Sequence, residues 1–263
     1  MNIPVLGAAR LPSPLKHWVD ESERVPDTIL RTVDARPEDD LLFELAGARK
    51  HLFFNPPDTR AGIVTCGGIC PGLNDVVRSL FLELHHAYGV KEVLGFRWGY
   101  QGLDPEQGVE PLVLTHEMVD GIHLQGGTIL GTSRGPVDKA RAVENLIRRR
   151  VNILFTIGGD GTQRGARDFF MEAQLRGHAF SVVGIPKTID NDIPFVARGN
   201  PRPIRAHFLV EFGPARVLRA AAGSRGRPRS LARLGGLLGL HRLPEAVTFA
   251  IHLEDVAAVR QAV

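Results

Sequence analysis

Short apolar segments alternate along the chain with segments whose apolar residues recur at helical spacing. Apolar runs with the length of buried strands lie at 61–65, 91–97, 151–156 and 181–185. Helical spacing predicts helices over 73–84 and from about 163 to 175. This alternation indicates an α/β fold, a Rossmann-like parallel sheet with helices on both faces, which binds ligands at the carboxyl ends of its strands.

Composition divides the chain into three regions. Residues 1–60 are rich in proline and acidic clusters, which predicts an N-terminal extension with little regular structure. Residues 61–195 carry the alternating pattern and form the predicted α/β domain. Residues 196–263 hold 11 Arg, no Lys and 4 acidic residues, so they form an atypical tail rich in Arg, Gly and Pro.

The overall composition is that of a globular protein. The chain has 263 residues, of which 43% are hydrophobic and 23% charged. It has no apolar run near the roughly 20 residues that cross a bilayer and no secretory leader pattern, so we expect a cytoplasmic protein without membrane contact. The net charge of +3 comes from the tail, where no aromatic residues interleave with the small patch of Arg225, Arg227 and Arg229, so we expect no specific nucleic-acid partner.

The two cysteines, Cys66 and Cys70, lie beside glycines in one short loop. They are too few for a disulfide framework, and their surroundings do not fit a zinc site. We expect reduced thiols.

The first candidate loop, at 67–72, joins the first strand of the domain to a helix for which Asn74 and Asp75 are candidate caps. Glycine at Gly67 and Gly68 would let the backbone approach a phosphate, and the helix N-terminus would add amide donors. A tight turn that needs small residues explains this loop equally well when it is taken alone.

The second loop, at 126–136, combines glycines and hydroxyls with Arg134 and Gly135. The planar guanidinium of Arg134 suits phosphate oxygens, and the neighbouring glycines would allow close approach. A surface arginine in a turn is the alternative.

The third loop has the sequence Gly158-Gly159-Asp160-Gly161-Thr162 and follows a predicted strand. A carboxylate at the mouth of a phosphate-binding loop is placed to hold Mg²⁺. The backbone amides and Thr162 would bind phosphate, so the loop predicts a metal-nucleotide site with Asp160 as the metal ligand.

The fourth loop follows the 181–185 strand and contains Lys187, Thr188, Asp190 and Asp192. Such a set could accept a proton from an attacking hydroxyl, bind that hydroxyl and balance phosphate charge. Glycine loops, an arginine, a lysine, a metal carboxylate and a base are the groups that phosphoryl transfer requires.

Taken together, these segments resemble the 6-phosphofructokinases from about residue 42 to residue 195. The resemblance is strongest to the long-chain ATP-dependent type of trypanosomatids and plants. It is carried by GIVTCGGICPGLNDVVRSL at 62–80, GFRWGYQGL at 95–103, GGTILGTSRGP at 126–136, ILFTIGGDGTQRGA at 153–166 and GIPKTIDNDI at 184–193.

The resemblance implies a glycolytic transferase that moves the γ-phosphate of ATP to the 1-hydroxyl of fructose 6-phosphate. It implies that Asp190 is the catalytic base, that Thr188 faces the sugar, and that Asp192 supports the base or the metal. The nucleotide phosphates would be held by Gly67, Gly68, Arg134, Gly135, Gly159, Gly161 and Thr162, with Lys187 nearby and Asp160 on Mg²⁺. It also implies a homo-oligomer, since the family is commonly tetrameric.

Two positions bear on the phosphoryl donor. Pyrophosphate-dependent relatives have an aspartate at the position of Gly161, which crowds the nucleotide α-phosphate, so glycine favours ATP. Lys187 also occurs in the pyrophosphate enzymes. The combination resembles the long-chain ATP type, and a pyrophosphate-dependent enzyme is the alternative.

Residues 196–263 depart from the family pattern, because they contain no Met-Gly-Arg motif and no lysine. We expect the second domain to be missing or incomplete, through a frame slip or truncation near residues 195–197. Half of the sugar phosphate site would then be absent, and this chain alone would have little activity. Alternatives are an NAD or lipid kinase, which shares the third loop, and a non-catalytic nucleotide-binding fragment.

Overall fold

The computed structural model describes residues 6–26, 42–45, 47–189, 194–197 and 200–203. In chain order its strands are β1 (Leu11–Pro12), β2 (Arg24–Pro26), β3 (Leu42–Glu44), β4 (His51–Leu52), β5 (Arg60–Thr65), β6 (Glu92–Phe96), β7 (Leu112–Val113), β8 (Ile153–Gly158), β9 (Ser181–Pro186), β10 (Pro194–Ala197) and β11 (Asn200–Pro203). The α-helices are α1 (Leu73–Leu82), α2 (His116–Val119), α3 (Lys139–Arg148) and α4 (Asp160–Leu175). A π-helical turn, Glu83–Ala87, follows α1, and short 3-10 turns lie at Pro56–Asp58, Gly99–Leu103 and Ile122–Leu124.

The central feature is a five-stranded sheet with the order β7-β6-β5-β8-β9. Strand β5 is central and pairs in parallel with β6 and β8, so that Ala61 faces both Val93 and Ile153. Strand β9 continues the parallel pairing beside β8. The prediction of a parallel sheet is therefore confirmed for the four predicted strands, and the sheet also has a fifth strand, the short β7, which runs antiparallel to β6 at the edge.

Both faces of the sheet are covered, as predicted. Alternate strand residues point to opposite faces, so Ile63 and Phe155 pack with α1 in one core cluster. The neighbouring Val64 and Leu154 pack with α3 and α4 in the other. All residues of β8 are buried, which is typical of a strand covered on both sides.

The N-terminal region contains more regular pairing than its proline content predicts. Strand β1 pairs with β4, and β2 pairs with β3, in two small antiparallel sheets. Leu52 is 2% exposed and belongs to the core cluster that covers α1. The end of the predicted extension is therefore packed into the domain.

Little of the predicted tail lies within the described residues. Strand β10 pairs with β11 in an antiparallel hairpin, which reaches into the start of the tail, and residues 204–263 lie outside the described part of the chain. Within that described part, no helix is both long enough and apolar enough to span a bilayer.

Candidate active site

Three of the four predicted loops begin where β5, β8 and β9 end. These strands are parallel neighbours, so their carboxyl ends lie side by side at one edge of the sheet. This edge is where ligands bind in open α/β sheets.

The first and third loops touch through their backbones. The amide of Cys66 donates to the carbonyl of Ile157 over 2.8 Å, which extends the pairing of β5 and β8 by one residue. A Cβ atom on Gly158 would lie 2.6 Å from the Cys66 carbonyl oxygen and would also collide with the Thr162 hydroxyl. Only glycine fits at this crossing.

The first loop enters α1 through glycine and not through the predicted caps. Gly72 precedes α1 with φ 85°, a left-handed conformation that favours glycine, and no side chain caps the helix. The expectation that Asn74 and Asp75 act as caps is therefore wrong.

Asn74 instead ties the first loop to the second. Its side chain is 2% exposed. The amide nitrogen Nδ2 donates to the carbonyl of Gln125 over 3.1 Å, and Oδ1 accepts from the amide of Ile129 over 2.8 Å. Thr65 adds a second tie, because its hydroxyl donates to the carbonyl of Gly131 over 2.7 Å.

Arg134 lies directly beside the first loop. A Cβ atom on Gly68 would lie 2.9 Å from the Arg134 Nη2 atom. The amide of Gly67 donates to the carbonyl of Ser133 over 3.3 Å. Arg134 is exposed, so its guanidinium is open to a ligand at the rim of the loop. The structure thus brings Gly67, Gly68 and Arg134 together.

Gly135 has a packing reason of its own. A Cβ atom at this position would collide with the side chain of Gln101, which belongs to the 3-10 turn after β6. Close approach to that turn therefore explains the glycine without a ligand.

The third loop opens α4 with an exposed backbone. Asp160 is the first residue of this 16-residue helix, and Gly159 precedes it in an extended conformation. Gly161 is exposed, and a Cβ atom there would have nothing within 4 Å. The amides at the start of such a helix attract anions. The space beside Gly161 is free for one.

Thr162 is more enclosed than the prediction of a phosphate ligand implied. The residue is 5% exposed, and its hydroxyl lies against Gly158. Its carbonyl accepts a hydrogen bond from the Tyr100 hydroxyl over 2.6 Å. The Tyr100 hydroxyl therefore holds the first turn of α4 through the Thr162 carbonyl.

Asp160 pairs with Arg164 one turn along α4. The guanidinium contacts both carboxylate oxygens, one of them at 3.3 Å. The two side chains are 36% and 73% exposed, and exposed pairs of this kind contribute little to stability. The carboxylate can therefore exchange the arginine for a cation at small cost.

The residues present fit a magnesium ion of the kind that nucleotides carry. Among the described residues, no three His, Cys, Asp or Glu side chains are grouped to hold a metal. Mg²⁺ that accompanies a nucleotide needs only one or two carboxylates, with phosphates and water as its other ligands. The exposed carboxylate of Asp160 beside the free space at Gly161 provides that donor set.

The fourth loop brings a lysine to the first. The Lys187 amide donates to the carbonyl of Gly158 over 2.9 Å, and its Nζ atom lies 3.6 Å from where a Cβ atom of Gly72 would be. Burial raises the pKa of the Cys70 thiol, and the charge and hydrogen bond of Lys187 oppose that shift. The ammonium group thus lies near the start of α1.

Thr188 lies beside the third loop, with its Cβ atom 3.9 Å from a Cβ position on Gly159. The predicted base Asp190 and its neighbour Asp192 lie outside the described residues. The described part of the site therefore contains the first three loops, together with Lys187 and Thr188 of the fourth.

The two cysteines are free and buried, which confirms the expectation of reduced thiols. Burial raises the pKa of the Cys66 thiol to about 12. A thiol protonated at neutral pH is a poor nucleophile and metal ligand.

The structural roles of two site residues are not predictable from the sequence alone. The sequence around Asn74 predicts a helix cap and not a tie between two loops, and Tyr100 has no predicted role within the 95–103 segment. The ring of Tyr100 packs edge-on against Phe169, with ring centres 4.8 Å apart, and it occupies the space left by Gly165. An aromatic residue within a glycine-rich segment was the available signal for Tyr100.

Comparison with known proteins agrees with this architecture. The sequence profile described as Phosphofructokinase matches residues 60–198. The chain is 58% identical over 158 residues to an ATP-dependent 6-phosphofructokinase of Trypanosoma cruzi, covering 60% of this chain and 33% of that protein. It is 47% identical over 209 residues to the ATP-dependent 6-phosphofructokinase of Trypanosoma brucei brucei, covering 75% and 43%.

A plant relative gives a similar result. ATP-dependent 6-phosphofructokinase 1 of Arabidopsis thaliana is 43% identical over 183 residues, covering 70% of this chain and 38% of the relative. The chain thus spans less than half the length of these relatives. The profile match covers more than half of the chain and includes all four loops, and the protein belongs to the phosphofructokinase family.

Proposed function

We propose that this chain is the nucleotide-binding part of an ATP-dependent 6-phosphofructokinase. The reaction moves the γ-phosphoryl group of ATP to the 1-hydroxyl of fructose 6-phosphate and gives fructose 1,6-bisphosphate. The observation that carries the proposal is the meeting of the four loops at one sheet edge, with an exposed helix start and free space at Gly161.

The phosphate chain of ATP is bound by backbone amides and fixed cations. The start of α4 at Gly159 and the loop at Gly67 and Gly68 provide amide donors. Arg134 supplies positive charge beside Gly68, and Lys187 supplies positive charge beside Gly72 at the end of the first loop. Phosphoryl transfer depends mainly on such positioning and charge stabilisation.

Asp160 holds Mg²⁺, which neutralises charge on the phosphate oxygens when it is bound. Thr188 positions the sugar hydroxyl, and Asp190 accepts its proton as the hydroxyl attacks. Asp192 supports this carboxylate. A carboxylate is a weak base, so proton transfer follows the acidification of the hydroxyl in the transition state.

The proposal of ATP as the phosphoryl donor rests on the open space beside Gly161. Any side chain here would occupy the space next to the start of α4, and its absence leaves room for the α-phosphate of a nucleotide. Lys187 favours pyrophosphate as the second candidate donor, because its ammonium lies near the start of α1 and could balance a compact anion.

The test measures binding separately from turnover. Calorimetric titration of the purified chain with ATP and with pyrophosphate, each with Mg²⁺, should show tighter binding of ATP. Gly161→Asp should weaken ATP binding by at least about tenfold by crowding and like charge, and Asp160→Asn should weaken it only when Mg²⁺ is present. Asp120→Asn, at another exposed aspartate, is the matched control.

A coupled assay for fructose 1,6-bisphosphate gives the second readout. We expect little or no turnover from this chain, because residues 196–263 contain no Met-Gly-Arg motif and would leave the sugar phosphate site incomplete. Turnover that Asp190→Ala abolishes would show that the chain completes that site. Failure to bind ATP, or tighter binding of pyrophosphate, would contradict the proposed donor.

The oligomer is part of the same proposal. We expect self-association, since the resembling enzymes are commonly tetrameric, and light scattering of the purified chain measures it directly.

A further inference from the structure

Three histidines lie side by side away from the predicted phosphate loops. His85 and His86 belong to the π-helical turn after α1, and His116 is the first residue of α2. The ring centres of His85 and His86 are 5.0 Å apart, and those of His86 and His116 are 5.5 Å apart. All three residues are exposed.

The π-helical turn explains why two successive histidines can meet. In an α-helix, neighbouring residues point away from each other around the axis and do not face one another. Here the amide of Tyr88 donates to the carbonyl of Glu83 over 3.1 Å, which closes a wider five-residue turn. Such turns interrupt α-helices frequently at functional sites.

Two contacts hold the ring of His85, which lies against His86, in one orientation. Its ring stacks on Phe81 with an angle of 12° between the planes. Its Nδ1 atom lies 3.2 Å from the carbonyl oxygen of Val90, and a carbonyl can only accept, so Nδ1 carries the proton. A backbone carbonyl that fixes the imidazole tautomer is common around metal sites. His85 in turn packs edge-on against His86 and limits its movement.

His116 is also held in place by its own element. The hydroxyl of Thr115 accepts a hydrogen bond from the amide of Met118 over 3.3 Å and so caps the start of α2. The imidazole of His116 therefore approaches His86 from a separate, anchored helix.

The spacing of His86 and His116 fits two ligands of one ion. A divalent metal lies about 2.1 Å from an imidazole nitrogen, and two imidazoles at a tetrahedral angle then have ring centres about 5.2 Å apart. The observed 5.5 Å is close to that value. The end of the helical run at Glu83–Ala87 also favours positive charge.

We propose that His86 and His116 bind one divalent transition-metal ion, such as Zn²⁺ or Ni²⁺, which joins the π-helical turn to α2. Imidazole nitrogen selects these ions over Mg²⁺ and Ca²⁺, which prefer oxygen. No three potential ligands are grouped among the described residues, so water completes the coordination. The site is independent of the proposed phosphoryl transfer.

The test is titration of the full chain with Ni²⁺ and with Zn²⁺, in a buffer that does not bind metal and with Mg²⁺ in excess. We expect saturable binding whose affinity falls at least about tenfold in both His86→Gln and His116→Gln. His123→Gln, at another exposed histidine, is the matched control and should bind like the wild type. Lowering the pH should weaken wild-type binding, because protons compete for the imidazole nitrogen.

Thermal unfolding in the absence of metal, followed by circular dichroism, shows whether the variants remain folded. Added Ni²⁺ should raise the unfolding temperature of the wild type and of His123→Gln, but not of the other two variants. Absence of saturable binding, or binding that neither His86→Gln nor His116→Gln weakens, would overturn the proposal.

Discussion

Replacing Asn74 with alanine tests how the first two candidate loops are held together. The Asn74 side chain is 2% exposed and bonds both the carbonyl of Gln125 and the amide of Ile129. Alanine leaves both groups without these partners. Gln125 is exposed, so water can replace its lost bond, whereas Ile129 is half-buried and water reaches its amide less easily.

A buried donor that loses its partner costs about 1–3 kcal/mol, so for this half-buried residue we expect Asn74→Ala to lower the free energy of unfolding by about 2 kcal/mol. The assay is urea unfolding at 25 °C, followed by far-ultraviolet circular dichroism. The matched control is Asn55→Ala, because Asn55 is exposed and its Nδ2 atom bonds only Asp58, at 2.5 Å. We expect the control to change stability by less than about 0.5 kcal/mol.

The second readout is ATP affinity. Loss of the tie to Ile129 should free the 126–136 loop, so ATP binding should weaken in Asn74→Ala and not in Asn55→Ala. Equal stability of the two variants would refute the reasoning, because it would show that the lost partner of the Ile129 amide carries no cost.

Three further predictions follow from single contacts. Gly158→Ala should destabilise the chain by about 3 kcal/mol, because its Cβ atom would meet the Cys66 carbonyl oxygen. Gly161→Ala should be neutral in the same urea assay, because the space there is open, and equal effects of the two variants would contradict the close crossing of Cys66 and Gly158. The Arg141 guanidinium lowers the pKa of the Asp104 carboxyl chiefly through a hydrogen bond. The wild type should therefore exceed Asp104→Asn in free energy of unfolding by the full amount at pH 7, and this difference should shrink as the pH falls below about 3.9. A difference that stays constant between pH 7 and pH 3 would disprove this. Tyr100→Phe keeps the ring but loses the hydrogen bond to the Thr162 carbonyl in α4, so the free energy of unfolding should fall by about 1 kcal/mol and ATP should bind more weakly. An unchanged ATP affinity would show that this hydrogen bond does not shape the third loop.

The central strands could be predicted because their residues are apolar on both faces. Strand β8 was recognised from a continuous apolar run, and all its residues are indeed buried. Strand β7 was missed because two residues are too short for any period to appear. Its direction depends on pairing with β6, which is a contact distant in sequence.

The candidate site was predictable where glycine itself carries the signal. Gly68 and Arg134 lie in loops of unusual composition, which made both of them candidates, and the structure places the two side by side. Asn74 has the local signature of a helix cap, and only the fold shows that its side chain bonds another loop. Gly135 shows a limit of this signal. Packing against the Gln101 side chain and contact with a ligand would each require glycine at this position, so the sequence does not distinguish the two reasons.

The pairing of β5 with β8 also has a consequence for the order of folding. Ala61 and Ile153 are partners although 92 residues separate them, whereas β5 and β6 pair over a much shorter span. Closing a long segment costs chain entropy before any contact repays it, so we expect β8 to dock late and slowly. The crossing of Cys66 and Gly158 forms only at that step, so a growing chain can bring its first and third loops together only after β8 has joined the sheet.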